Sequence, residues 1–249
     1  SLRGYSIRFT EEYGELVLCY DNKTNWRREY FPNYKHGRRK DRKASKLDWG
    51  SIFDTLHLIK QELQDNFPYK VLEVENAEAD DIIASVVSYV AEAPSHYEKV
   101  LIVSGDKDFI QLQKHSFVTQ YSPTLKKFVN GIDPHAYIKE HILKGDRSDG
   151  VPNFLSPDNC FVDEMRQRPI SKKKMAIWID LEPEDFCNEE MLRNYQRNRT
   201  LIDLEYAPDE INQACVQAYL NSTVKNRSGL LNYFIKHRLK NHMENIGDF

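Results

Sequence analysis

The sequence predicts an α/β protein: a mostly parallel sheet flanked by helices, followed by a helical lobe. Three observations carry this. Short apolar runs alternate with amphipathic ones as far as residue 132, the strand signal stops near residue 133, and 249 residues with 40% hydrophobic side chains can bury a substantial core.

The first strand is ELVLCY (15–20), preceded by a helix-like segment. Residues 48–66 predict a helix with Ile52, Leu56, Ile59 and Leu63 on one face. YKVLEV (69–74) is a second strand. In 77–91, Ala79, Ile82, Ile83, Val86, Val87 and Val90 follow the helical period. KVLIV (99–103) is nearly all apolar, as buried parallel strands are. A helix is expected from about Lys107 and a strand over 117–121. Beyond these, helices are expected near 134–143, 172–179, 189–199, 209–220 and 228–238. Residues 145–171 hold three prolines and little periodicity, so they predict a long connection or flexible insertion. The resulting division is a core over 1–132, including a basic stretch at 24–48, and a helical lobe over 133–249.

No apolar run is long enough to span a bilayer, and no secretory signal opens the chain. Cys19, Cys160, Cys187 and Cys215 lie far apart without a C-x-x-C pair. That argues against a zinc knuckle or disulfide framework and predicts a reducing cytoplasm, with no membrane contact.

The formal charge of −3 hides an uneven distribution. Between Arg27 and Lys46, nine cations oppose only Glu29 and Asp41, so this stretch carries +7 and the rest −10. Trp26, Tyr30, Phe31 and Tyr34 are interleaved with Arg27, Arg28, Lys35, Arg38, Arg39, Lys40, Arg42, Lys43 and Lys46. Cations beside flat rings suit a single-strand surface, where phosphates meet charge and bases stack. A solvated loop or a localisation signal is the plainer alternative. Lys172, Lys173 and Lys174 form a smaller cluster that reads as a solvated face.

The acids sit where ligand sites of open parallel sheets lie, beyond the carboxyl ends of strands. Asp21 follows the first strand, and Glu78, Asp80 and Asp81 open the helix after the second. Asp106 and Asp108 follow the third, while Asp146 and Asp149 begin the helical half. Helix capping, the macrodipole and an ordinary turn are the structural alternatives. So many carboxylates on one edge would repel unless cations neutralise them. Oxygen donors without His or Cys select Mg²⁺ or Mn²⁺, and two such ions about 4 Å apart suit phosphodiester hydrolysis. A phosphatase loop at Asp21-Asn22-Lys23-Thr24 is a poorer fit, because its second acid is Asn22.

Taken together, these motifs resemble the flap endonuclease or 5′-nuclease superfamily, in particular its T-even phage ribonuclease H branch. The resemblance covers essentially the whole chain. It rests on Asp21 followed by Arg27 or Arg28, Tyr34-Lys35 and Arg38 or Arg39, and on Glu78-Ala79-Asp80-Asp81. It also rests on Asp106-Lys107-Asp108 with Phe109, and on Gly145-Asp146-Arg147-Ser148-Asp149 leading into Val151-Pro152. It implies a PIN-like core, two Mg²⁺ ions (Mn²⁺ substituting), and a basic helical arch over the metal edge. Metal ligands would come from Asp21, Glu78, Asp80, Asp81, Asp106, Asp108, Asp146 and Asp149. Lys35, Tyr34 and Arg27, Arg28 and Arg38 would act on the scissile phosphate. Trp26, Arg38, Arg39, Lys40, Arg42, Lys43 and Lys172–Lys174 would contact nucleic acid.

The implied substrates are DNA and RNA–DNA duplexes with 5′ ends or flaps, cut by a monomer in a bacterial or phage-infected cytoplasm. A single-strand-binding protein and a sliding clamp are the implied partners. Two departures accompany the resemblance. The family opens with a further strand bearing an Asp that this sequence does not contain. The first cation would then rest on Asp21, Glu78, Asp80 and Asp106, and a catalytically inactive binder of DNA structures is the alternative. A glycine-rich hairpin after the G-D-x-x-D motif is also missing, so no monovalent ion is expected there.

Overall fold

The computed structural model describes residues 1–92, 98–224 and 226–249; the side chain of Arg39 lies outside that description. The elements run α1 (Leu2–Tyr13), β1 (Val17–Tyr20), α2 (Trp26–Tyr30), α3 (His36–Ala44), α4 (Trp49–Asn66), β2 (Lys70–Glu73) and α5 (Ala79–Glu92). Then come β3 (Val100–Val103), a 3-10 turn (Asp108–Lys114), β4 (Val118–Ser122), β5 (Lys127–Val129) and α6 (Pro134–Lys144). The remainder holds α7 (Lys172–Trp178), α8 (Pro183–Phe186), α9 (Glu189–Ile202), α10 (Asp209–Asn221), α11 (Leu230–Lys236) and α12 (Lys240–Met243). The helix expected from Lys107 is a tighter 3-10 turn, and β5 was not expected.

The strands form two sheets rather than one. β1 pairs in parallel with β2, Val17 opposite Lys70; β3 pairs in parallel with β4, Val100 opposite Val118, and β5 joins β4 antiparallel. Between β1 and β3 runs an apolar groove of about 560 Å³, lined also by Tyr5 and Phe9 of α1 and by Val86 and Val87 of α5. Among the described residues each of these two strands keeps one edge unpaired. An extended segment laid in the groove, about 4.8 Å from each neighbour, would join the two sheets into one.

Four buried clusters form the core, and each draws residues from both sides of the 132/133 division. Residues 145–171 form the long connection rather than the flexible insertion, irregular but held in place. Their carbonyls are met by buried side chains of α9: Asn198 Nδ2 donates to Pro152 O (2.8 Å), Arg197 Nη2 to Pro152 O (2.9 Å), and Asn194 Nδ2 to Phe154 O (3.1 Å). The Phe154 ring, fully buried, meets Trp178 edge-on at 5.2 Å. Paired carbonyls and a buried ring hold a chain that has no regular ladder. Among the described residues no helix is long and apolar enough to cross a membrane.

Candidate metal and nucleic-acid site

A cavity of about 470 Å³ opens where the segment after β3, the turn after α6 and the α2–α3 junction meet. Lys35, Arg38, Asp80, Asp106, Asp108, Asp146 and Asp149 line it. Local hydrogen bonds set each acid. Asp108 N donates to Asp106 Oδ1 (3.0 Å), and the buried Gln120 of β4 holds the same loop by donating to Ser104 O and Asp106 O. In the turn after α6, Asp146 Oδ1 accepts from Ser148 N and Oγ (2.7 Å each). Burial opposes its ionisation, but His141 and Ser148 outweigh that and hold the carboxyl far below the usual range.

Two glycines shape this turn. Gly145 has φ 67°, and a Cβ there would meet Val151 O at 2.4 Å; Gly150 has φ 74°, and its Cβ would meet Asn33 O at 2.8 Å. The second close approach lets Lys35 N donate to Asp149 O at 2.7 Å. Lys35 itself takes a left-handed conformation, φ 55°.

The start of α5 brings the other acids. Asp21 Oδ1 accepts from Ala79 N (2.9 Å), so this acid caps α5 from across the sheet edge. Burial, then the charges of Asp106, Glu78 and Asp21, push Asp80 up to about 7. Glu78 is held below the usual range: burial opposes this, but Lys35 and then Arg27 outweigh it. Tyr34 Oη lies 2.9 Å from both Glu78 Oε2 and Asp149 Oδ2, sharing one proton between two carboxylates. Burial and both acids raise its hydroxyl well above the usual range. Lys35 Nζ also pairs with Glu78 and lies 3.6 Å from Asp149.

Three expectations need correction. Trp26, 6% exposed, packs among Leu72, Val74 and Ile82 and donates its Nε1 to Asp81 (3.2 Å), so no base can stack on it. Arg27, 2% exposed, spends its guanidinium inside the protein on Asp81, Glu78 and Leu201 O. Asp81 is wholly buried; its carboxylate accepts from Glu78 N (2.8 Å) in a capping-box arrangement and pairs with Arg27. These three form an internal clamp, and Asp81 does not reach the cavity.

The cations divide in the same way. Of the basic stretch, Lys35 and Arg38 line the cavity, with Arg38 Nη2 2.6 Å from Asp149 Oδ1, and Lys107 of the D-x-D segment lines it as well. Arg28, Lys40, Arg42 and Lys43 are exposed on α2 and α3; Lys40 pairs with Glu164, and Arg42 stacks 5.0 Å over Phe53. Lys172, Lys173 and Lys174 are exposed on the first turn of α7.

Sequence reasoning missed Tyr137, His141 and Ser148, which also line the cavity. The available signal was position: His141 lies in the last turn of α6, directly before the G-D-x-x-D motif. Its Nδ1 is 3.2 Å from Asp108 and its Nε2 3.5 Å from Asp146. Burial alone would lower its pKa, but these two acids push it up to about 9.

The donors fit hard divalent cations, being carboxylate oxygens. Burial first, and then like-charge repulsion, raise Asp80, and the repulsion is of the kind a cation relieves. Among the described residues no three His, Cys, Asp or Glu side chains meet at one coordination point; the acids ring the cavity instead.

Residues 5–142 match the family of 5′-3′ exonuclease N-terminal, resolvase-like domains, and residues 133–249 match the C-terminal domain of T4 RNase H. The chain belongs to the 5′-3′ exonuclease family. It is similar to the ribonuclease H of Enterobacteria phage T4, at 35% identity over 246 residues, covering 95% of this chain and 80% of that protein. Flap endonuclease Xni of Shewanella oneidensis is 31% identical over 55% of this chain and 51% of its own length. DNA polymerase I of Lactococcus lactis is 32% identical over 55% of this chain, which spans only 16% of that longer protein. The fold is similar to that of a T5 flap endonuclease in complex with DNA and metal ions (TM-score 0.52, 19% identity, 87% of this chain and 82% of that one). It is also similar to T5 5′-exonuclease with bound zinc (TM-score 0.56, 17% identity, 89% and 91%).

Proposed function

We propose that this chain is a Mg²⁺-dependent 5′-nuclease cutting phosphodiesters at 5′ ends or flaps of duplex DNA and RNA–DNA, with Mn²⁺ able to substitute. The observation that carries this reading is one cavity ringed by acids from the sheet edge and from the helical half, with Lys35 and Arg38 on its wall. Likeness to T4 ribonuclease H, to Xni and to a DNA-bound flap endonuclease supports it.

Asp21, Glu78, Asp80 and Asp106 would hold one cation, and Asp108, Asp146 and Asp149 a second. Bound there, such ions supply positive charge that acidifies water and offsets charge on the leaving oxygen. Lys35 and Arg38 bind the scissile phosphate and stabilise its developing charge. Tyr34 keeps Glu78 and Asp149 in register by sharing its proton. The exposed cations of α3, with Lys172–Lys174, hold backbone phosphates without reading sequence. The lobe over 133–249 grips duplex while the core over 1–132 carries the acids. A single-strand-binding protein and a sliding clamp complete this reading as partners.

The test is Mg²⁺-dependent release from a 5′-labelled flap. Asp108→Asn should nearly abolish it, and an unchanged rate rejects the cation assignment. Lys35→Ala should slow cleavage about 100-fold or more while leaving duplex binding close to wild type; equal losses in both reject its role at the phosphate. A second reading, binding of branched DNA without cleavage, is favoured by the lack of a preformed three-ligand point among the described residues. That reading requires a gel shift of the flap with no product in Mg²⁺.

A further inference from the structure

We infer that His141 is a positioning residue for the second cation, tying Asp108 at the end of the sheet to Asp146 in the turn after α6. The inference rests on the cation reading above. His141 faces one acid with each ring nitrogen, Nδ1 at 3.2 Å from Asp108 Oδ1 and Nε2 at 3.5 Å from Asp146 Oδ2. Its Nδ1 is shielded from solvent and makes no aligned hydrogen bond, so the ring has no competing partner on that side.

The ring is fixed from behind. Tyr137, one turn earlier on α6, meets it edge-on at 5.8 Å, and His141 O accepts the capping N–H of Gly145 at 2.8 Å. Gly145 is in turn held where only glycine fits, against Val151 O. The imidazole therefore has a set position relative to the acid-bearing turn. Asp108 and Asp146 arrive from segments far apart in sequence, and two neighbouring carboxylates repel. A side chain that engages both sets their separation. Removing such an outer partner typically weakens metal affinity about 10- to 100-fold.

Mn²⁺ binding to the full chain without nucleic acid, followed by electron paramagnetic resonance, resolves the two ions. His141→Ala should weaken one ion about 10- to 100-fold and leave the other unchanged. His141→Gln, which keeps a donor, should recover part of that loss. In flap cleavage, His141→Ala should raise the Mg²⁺ concentration for half-maximal rate more than it lowers the rate at saturating Mg²⁺. Wild-type binding by His141→Ala, equal weakening of both ions, or no recovery by His141→Gln overturns the inference. Asp108→Asn separates this from the reading beneath it. If that variant binds both ions normally, the cation assignment itself fails. If it loses one ion while His141→Ala binds normally, only the positioning role is rejected.

Discussion

Arg27 shows how a residue in a recognisable motif can serve the fold rather than the substrate. Its guanidinium lies between Asp81 and Glu78, over the Trp26 ring at 4.5 Å. Breaking such a buried pair leaves uncompensated charge, so Arg27→Ala should lose about 3–5 kcal/mol in urea unfolding. Arg27→Lys should not restore it, because an ammonium lacks the planar fork. A neutral result would return Arg27 to the candidates for phosphate contact. Asp80 makes a prediction of unusual sign. Its pKa rises from 3.8 to about 7 on folding, so the folded state holds this proton more tightly than the unfolded one. Stability is then unpenalised below pH 3.8 and falls as pH rises towards 7. With chelator present, Asp80→Asn should match wild type in thermal unfolding at pH 4 and exceed it above pH 7. Added Mg²⁺ should narrow that gap.

At the scale of elements, α3 carries a strongly basic surface: Lys40, Arg42 and Lys43 are exposed along it. Neutralising all three should flatten the logarithmic salt dependence of flap binding by roughly 2 units, given about 0.7 per phosphate on single strands. Fluorescence anisotropy at several salt concentrations measures the slope; an unchanged slope would remove α3 from the interface. Elements also show what a sequence can and cannot reveal. The ranges of α4, α5, α9 and α10 were legible because their apolar residues repeat at the helical period. What covers such a face was not legible. Of the four residues on one face of α4, Ile59 and Leu56 are 44% and 51% exposed, and only Leu63 of that helix is buried. Asp80, Asp106 and Asp108 of the cavity were legible because they follow strands, and Asp146 and Asp149 through their D-x-x-D spacing. The withdrawal of Trp26, Arg27 and Asp81 was not, because burial depends on a clamp joining three segments. The order in 145–171 depends on inward amides of α9, which no local pattern within 145–171 announces.

Across the whole molecule, the α/β half and the helical half share every buried cluster, from Phe31 against Leu201 to Leu63 against Leu230. Opening either half would expose side chains buried in all four clusters. Urea unfolding should therefore be a single transition, coincident by tryptophan fluorescence and far-UV circular dichroism. Two separated transitions would show independent halves. The groove between β1 and β3 has a different consequence, in the isotopic record of the backbone. Central strands of α/β sheets normally exchange their amide protons most slowly. Here the amides of Val17–Tyr20 and Val100–Val103 that face the groove have no strand partner on that side among the described residues. In heavy water they should take up deuterium ahead of β4, whose two neighbours cover both its edges, so that a line of fast exchange runs through the interior of the fold.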